Sequence, residues 1–262
     1  MKHITIIAGA RPNFMKVAPI IHEIKKRRAE GVDIDYSLVH TGQHYDKKMS
    51  GDFFEQLNIP EPDANLNAGG GTQAEQTGAI MIRFEEFLMN NPTDLVLVVG
   101  DVTSTMACAI TAQKLHVKVA HVEAGIRSND WTMPEEINRL VTDAITNYFF
   151  TTSEVANKTL RASRYGDDQI FFVGNCMIDT LIKNKPRFIK PSIWEELGLG
   201  EKGYFMITLH RPANVDEGAK LKELMDEIIN NTQDIPLVFP VHPRTKKMLK
   251  ELGIEHERLH MV

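Results

Sequence analysis

Short runs of β-branched and aromatic residues recur along this chain, separated by segments of helical period, and a parallel sheet with crossover helices requires that alternation. Strands are expected near residues 4–8, 34–40, 95–99, 117–122, 148–151 and 169–173, with helices near 14–28, 72–90, 103–116, 134–147 and 155–163. LVLVV and YFF are apolar at successive positions, so both faces of their sheet should be covered. These elements make one doubly wound domain over residues 1–185. Between 184 and 203, NKPRFIKPS and GLGEKG combine proline, glycine and charge in the manner of an interdomain connection. A second β/α series then follows, with strands near 204–209 and 235–241, helices near 219–231 and 244–252, and the opening of a third strand at RLHMV. Sheets usually hold about 4–6 strands. The expected class is α/β with two Rossmann-like doubly wound domains, the second, over 200–262, incomplete.

Charge and apolar patterning narrow the functional classes. With 30 Lys and Arg against 35 Asp and Glu, the formal charge of −5 argues against a surface that coats nucleic acid or an anionic membrane. An anionic ligand must then be met by a local cluster of cations. No run approaches the roughly 18 apolar residues of a membrane span, and ITIIAGA is too short for a signal peptide. Cys108 and Cys176 are far apart and match no metal-ligand spacing, so they read as reduced thiols and the location as cytoplasmic. The stretch from Gly9 to Lys16 after the first strand contains neither GxGxxG nor GxxxxGK, so neither a dinucleotide fingerprint nor a P-loop stands there.

In open α/β sheets ligands bind beyond the carboxyl ends of the strands, and the residues following the apolar runs here are polar. The first strand leads into Gly9, Arg11 and Lys16, a glycine and two cations at a helix start that would suit an anion. The second leads into Gln43 and His44, the third into Gly100 and Asp101, the fourth into Glu123 and Arg127. Glu135 and Glu136 open a helix after Pro134, and His210, Arg211, His242 and Arg244 follow strands of the second series. Structural alternatives stand beside each functional reading. Asp101 could merely cap a helix, Glu123 could pair with Arg127, the two glutamates suit a helix amino terminus without any reaction, His210 could be a satisfied core histidine, and Gly69 to Gly71 could be a plain loop. Taken together, carboxylates, a histidine and cations at strand ends suit proton transfer beside a charged leaving group. No metal motif and no Ser/His/Asp order accompanies them.

The order and spacing of GARPNFMKVAPI, TGQH, GDVTST, HVEAGIRS, PEEINR, FFVGNCMIDT, TLHR and FPVH resemble the non-hydrolysing UDP-N-acetylglucosamine 2-epimerases, over essentially the whole chain. That resemblance implies a cofactor-independent isomerase of glycosyltransferase-B-like architecture acting on a UDP-sugar. Its reaction inverts carbon 2 by eliminating UDP to a 2-acetamidoglucal and adding it back, in supply of surface polysaccharide precursors. Carried over residue by residue, the catalytic set is Asp101, Glu123, Glu135 and His210. The substrate-binding set is Arg11, Lys16 and His44, joined by Arg127 and Arg211 from the strand-end reading. Gln43 and His242 match positions of an allosteric site, and the family implies a homodimer.

Departures from the family pattern shape the alternatives. HRPA stands at 210–213 where relatives read HRRE or HREE, and the segment 128–133 is short. Another UDP-2-acetamido sugar, such as a diacetamido-uronate, is therefore a competing substrate. A glycosyltransferase and an inactive nucleotide-sugar binding fragment are the readings from other classes. The DSGG motif and paired glutamate that bind the nucleotide in the family do not occur within these 262 residues. A site without that clamp is expected to turn over very poorly, because its leaving group would not be oriented.

Overall fold

The computed structural model describes residues 1–42, 54–209 and 212–262, with only the backbone described at 11, 212 and 213. By internal contacts the chain divides into two compact units, Met1–Arg187 and Phe188–Val262.

The first unit is a seven-stranded, wholly parallel sheet in the order β3-β2-β1-β4-β5-β6-β7. Its strands are β1 (Lys2–Ala8), β2 (Ile34–His40), β3 (Ala64–Asn65), β4 (Leu95–Val99), β5 (Lys118–Val122), β6 (Tyr148–Thr151) and β7 (Ile170–Phe172). Its helices are α1 (Arg11–Ala29), α2 (Gln73–Asn90), α3 (Thr103–Lys114), α4 (Pro134–Ala144), α5 (Glu154–Ala162) and α6 (Cys176–Asn184). The alternation along β4 shows why its run is apolar throughout. Leu97 and Val99 join one core with Phe14, Val17 and Ile21 of α1, while Val96 and Val98 join another with Ile80 and Phe84 of α2 and Ala107 and Cys108 of α3.

Local signals explain the element ends. Helix α1 starts three residues earlier than its apolar period, because Pro12 stands in a first turn where a missing N–H costs nothing. Thr72 and Glu75 form a capping box at α2: the Glu75 N–H donates to Thr72 Oγ1 and the Thr72 N–H to Glu75 Oε2. Gly70 and Gly71, both at positive φ, deliver the chain into that cap. Strand β3 and helix α6 lie outside the sequence expectation. α6 is held in place by α1, with Thr180 Oγ1 donating to the Met15 carbonyl at 2.6 Å.

The second unit holds a three-stranded parallel sheet, β10-β9-β8, made of β8 (Phe205–Met206), β9 (Leu237–Phe239) and β10 (Leu259–Met261). Helices α7 (Ile193–Glu196), α8 (Pro212–Val215), α9 (Gly218–Asn231) and α10 (Pro243–Glu251) accompany it. Its core gathers Leu221, Met225, Leu237, Phe239 and Leu249. The strand expected over 204–209 shrinks to two residues, since β8 bonds only to β9 among the described residues. No described helix is long and apolar enough to cross a membrane.

Candidate active site

The strand order of the first unit reverses between β1 and β4, and a ligand crevice belongs at such a switch point. Gly9 begins the turn after β1 because nothing larger fits: a Cβ there would lie 2.0 Å from Ser104 Oγ, which itself hydrogen-bonds Thr41 Oγ1 at 2.6 Å. Asn13 closes the turn, accepting at Oδ1 from the Gly9 and Ala10 N–H groups, each at 3.0 Å. Its Nδ2 donates to the Val99 carbonyl at 3.3 Å, which ties the β1 turn to the end of β4.

Lys16, one turn further along α1, donates from Nζ to Glu123 Oε2 at 2.5 Å, with each side chain 12% exposed. Glu123 leaves β5 at φ +70, a left-handed conformation that costs a non-glycine residue about 1–2 kcal/mol. Its own N–H and that of Ala124 donate to the Phe150 carbonyl at 2.9 and 3.2 Å and hold it there. Across from it, Gly100 stands at φ +67, and a Cβ would fall 2.9 Å from Lys16 Nζ. The lysine, the glutamate and the glycine turn therefore define one another.

Asp101 does not cap the helix that follows, since Val102 takes that position. Its Oδ2 accepts from Arg139 Nη1 at 2.7 Å, and its carbonyl accepts from Asn138 Nδ2 at 2.8 Å. Both partners lie on α4. Glu135 sits in the first turn of that helix, four residues before Arg139 and so on the same face. The neighbouring Glu136 is a different group. Burial pushes its carboxyl up, but the N–H groups of Ser128 and Asn129, the Ser128 hydroxyl and Arg139 outweigh that and bring it to about 2. It is a fixed anion that anchors the 128–129 loop, whereas Glu135 remains half-buried.

The structure thus brings Lys16, Asp101, Glu123 and, through Asn138 and Arg139, Glu135 to one end of one sheet. Arg127 stands on the same turn as Glu123 but pairs with Asp143, Nη1 donating to Oδ2 at 2.6 Å. In the second unit, His242 is the exposed cap of α10, its Nδ1 accepting from the Arg244 N–H at 3.3 Å, and Arg244 pairs with Asp216 at 3.0 Å. Gln43, His44, His210 and Arg211 lie outside the described residues, and Arg11 is described only as backbone. Burial pushes the free thiols of Cys108 and Cys176 up, which makes both poor nucleophiles. Sequence reasoning missed Asn13, His121, Arg139 and Asp143. Two of them left a trace: His121 interrupts an apolar strand, and Asp143 puts a negative charge in a helix's last turn, where the macrodipole disfavours it.

Fold and site define an open-sheet α/β protein with a buried lysine–glutamate pair and a second paired carboxylate at its switch point. The sequence model for UDP-N-acetylglucosamine 2-epimerase matches residues 25–262. The chain belongs to the UDP-N-acetylglucosamine 2-epimerase family. It is 41% identical over 258 residues to the UDP-N-acetylglucosamine 2-epimerase of Methanocaldococcus jannaschii, covering 96% of this chain and 69% of that protein. It is also 38% identical over 262 residues to the UDP-2,3-diacetamido-2,3-dideoxy-D-glucuronate 2-epimerase of Pseudomonas aeruginosa, covering 98% of this chain and 71% of that one. Among solved structures, the M. jannaschii enzyme in complex with UDP-GlcNAc and UDP matches at a TM-score of 0.82 and 39% identity, over 99% of this chain and 73% of that one. The architecture is accordingly glycosyltransferase-B-like.

Proposed function

We propose that this protein interconverts UDP-N-acetylglucosamine and UDP-N-acetylmannosamine by inverting carbon 2 of the sugar. The observation that supports the reading is the Lys16–Glu123 pair at the sheet's switch point, with Asp101 on the neighbouring strand end bonded to Arg139 of the helix that begins with Glu135. A carboxylate takes the carbon 2 proton, the C1–O bond breaks, and its electron pair leaves with UDP as C1=C2 forms. A second carboxylate returns a proton to the other face of carbon 2, and a UDP oxygen closes on C1. Lys16, Arg11, His44 and Arg211 serve the charge of the diphosphate, and His210 joins the proton-transfer set. Arg127 adds positive charge from the Glu123 turn. No cofactor enters this scheme.

Within this reading residues 1–185 carry the three carboxylates, and 200–262 belong to a nucleotide-binding domain that supplies His210 and Arg211. Gln43 and His242 are assigned to a regulatory site, the protein to the cytoplasm as a homodimer, and its product to surface polysaccharide precursors. The test uses the full product of the reading frame with UDP-N-acetylglucosamine in deuterium oxide. Deuterium at carbon 2 with growth of the UDP-N-acetylmannosamine signal is expected; unchanged starting material would defeat the proposal. The likeness to the P. aeruginosa protein favours a second substrate, a UDP-diacetamido-uronate, and relative turnover on the two nucleotides decides between them.

A further inference from the structure

We propose that His121 and Asp143 form a buried ion pair, an imidazolium against a carboxylate, that positions Asp101 and Glu123 by clamping the Gly100 carbonyl. His121 is 0% exposed in β5, where Val119, Ala120 and Val122 around it are apolar and buried. Its Nε2 lies 2.8 Å from the Gly100 carbonyl oxygen, which can only accept, so Nε2 carries a hydrogen. Its Nδ1 lies 2.8 Å from Asp143 Oδ1. The other oxygen of Asp143 accepts from the Gly125 N–H at 3.1 Å and from Arg127 Nη1 at 2.6 Å. Burial pushes the Asp143 carboxyl up, but the permanently charged Arg127 guanidinium and the Gly125 N–H, both on Oδ2, favour its ionised form, so it is an anion that can only accept. Nδ1 must therefore carry a hydrogen too, and a ring with a hydrogen on both nitrogens is an imidazolium.

The consequence concerns both turns that bear the candidate carboxylates. Asp143 holds the Glu123 turn through Gly125 and Arg127, and holds the Asp101 turn through His121 and Gly100. One anion in α4 thus sets the spacing of two side chains whose separation decides whether both reach the same sugar carbon. Breaking such a pair one partner at a time is costly, because the survivor is a buried uncompensated charge. The positioning part of this inference rests on the epimerase reading; the protonation part does not.

Asp143→Asn separates the two. An asparagine can still accept from Gly125 and Arg127 at Oδ1 while its Nδ2 donates to Nδ1 of a neutral ring, so each hydrogen bond keeps a partner, but the carboxylate's charge is lost to Arg127 as well as to His121 and the hold on both turns is weakened. In protein with 15N-labelled histidine at neutral pH, long-range 1H–15N spectra should show two protonated ring nitrogens for His121 in the wild type and one in Asp143→Asn. An unprotonated Nδ1 in the wild type would overturn the ion pair. With the melting temperature of the variant as a control for folding, its kcat for epimerisation should fall about 10- to 100-fold with KM little changed, the range expected for a small misplacement of reacting groups. Unchanged kcat would show the pair to be structural only. Two ring hydrogens in a wild type that epimerises no nucleotide sugar would defeat the proposed function and leave the pair standing.

Discussion

In the first unit β2, β1, β4, β5 and β6 each have a strand on both sides, whereas among the described residues β8 in the second unit pairs with β9 alone, and Phe205 and Met206 are 48% and 61% exposed. The same βα grammar gives two different degrees of definition. A strand gripped on both edges and both faces has a fixed end, and a fixed end can carry a left-handed glutamate and a 12% exposed ion pair. A two-residue edge strand has too few ladder bonds to aim a side chain in the same way. The described part of the site is accordingly confined to the first unit.

This contrast is open to direct attack. The largest effect is expected at the site: Glu123→Gln should lower epimerase turnover by about 10²–10⁴-fold, the usual weight of a positioned acid or base, while the melting curve stays cooperative. Activity within threefold of wild type would remove Glu123 from the reaction. Next, Phe84→Ala in the first unit should cost about 3–5 kcal/mol, against under about 0.5 kcal/mol for Phe205→Ala at the exposed edge. Equal losses in urea titrations would erase the difference between the units. Glu136, held at about 2 against an ordinary 4.5, contributes roughly 3 kcal/mol that is fully present above pH 4.5 and disappears as pH falls through 2. Glu136→Gln should flatten that acid limb of stability, and a parallel acid limb in the variant would count against the assignment. Smallest of all, amides of β9 and β10 should exchange through openings about 2 kcal/mol less costly than those of β1, β4 and β5. Uniform protection across both sheets would show that the chain opens as a single cooperative body.

Much of the scaffold was legible in advance because its causes are local. Ile34–His40, Leu95–Val99 and Tyr148–Thr151 form as their apolar runs indicate, and polar residues at their carboxyl ends follow from the parallel arrangement. The Asp101 environment was not legible, and the helix-cap alternative fails on the observation that Val102 holds that position. Nor was the partner of Glu123: the nearby Arg127 turns to Asp143, and Lys16, 107 residues away in sequence, takes its place. Helix α6 was not among the expected elements, and its Thr180 bonds α1 across 165 residues of sequence.

Periodicity, punctuation and the succession of motifs along the chain determined the α/β class, the strand ends and the family, since each depends on neighbours within a few residues. Which cation meets which carboxylate, and that Glu136 is an anchor while Glu135 stays available, was decided only when parallel strands brought distant turns to one edge. Hydrogen bonds are set by separations of a few ångströms in space, and a linear string does not record those separations.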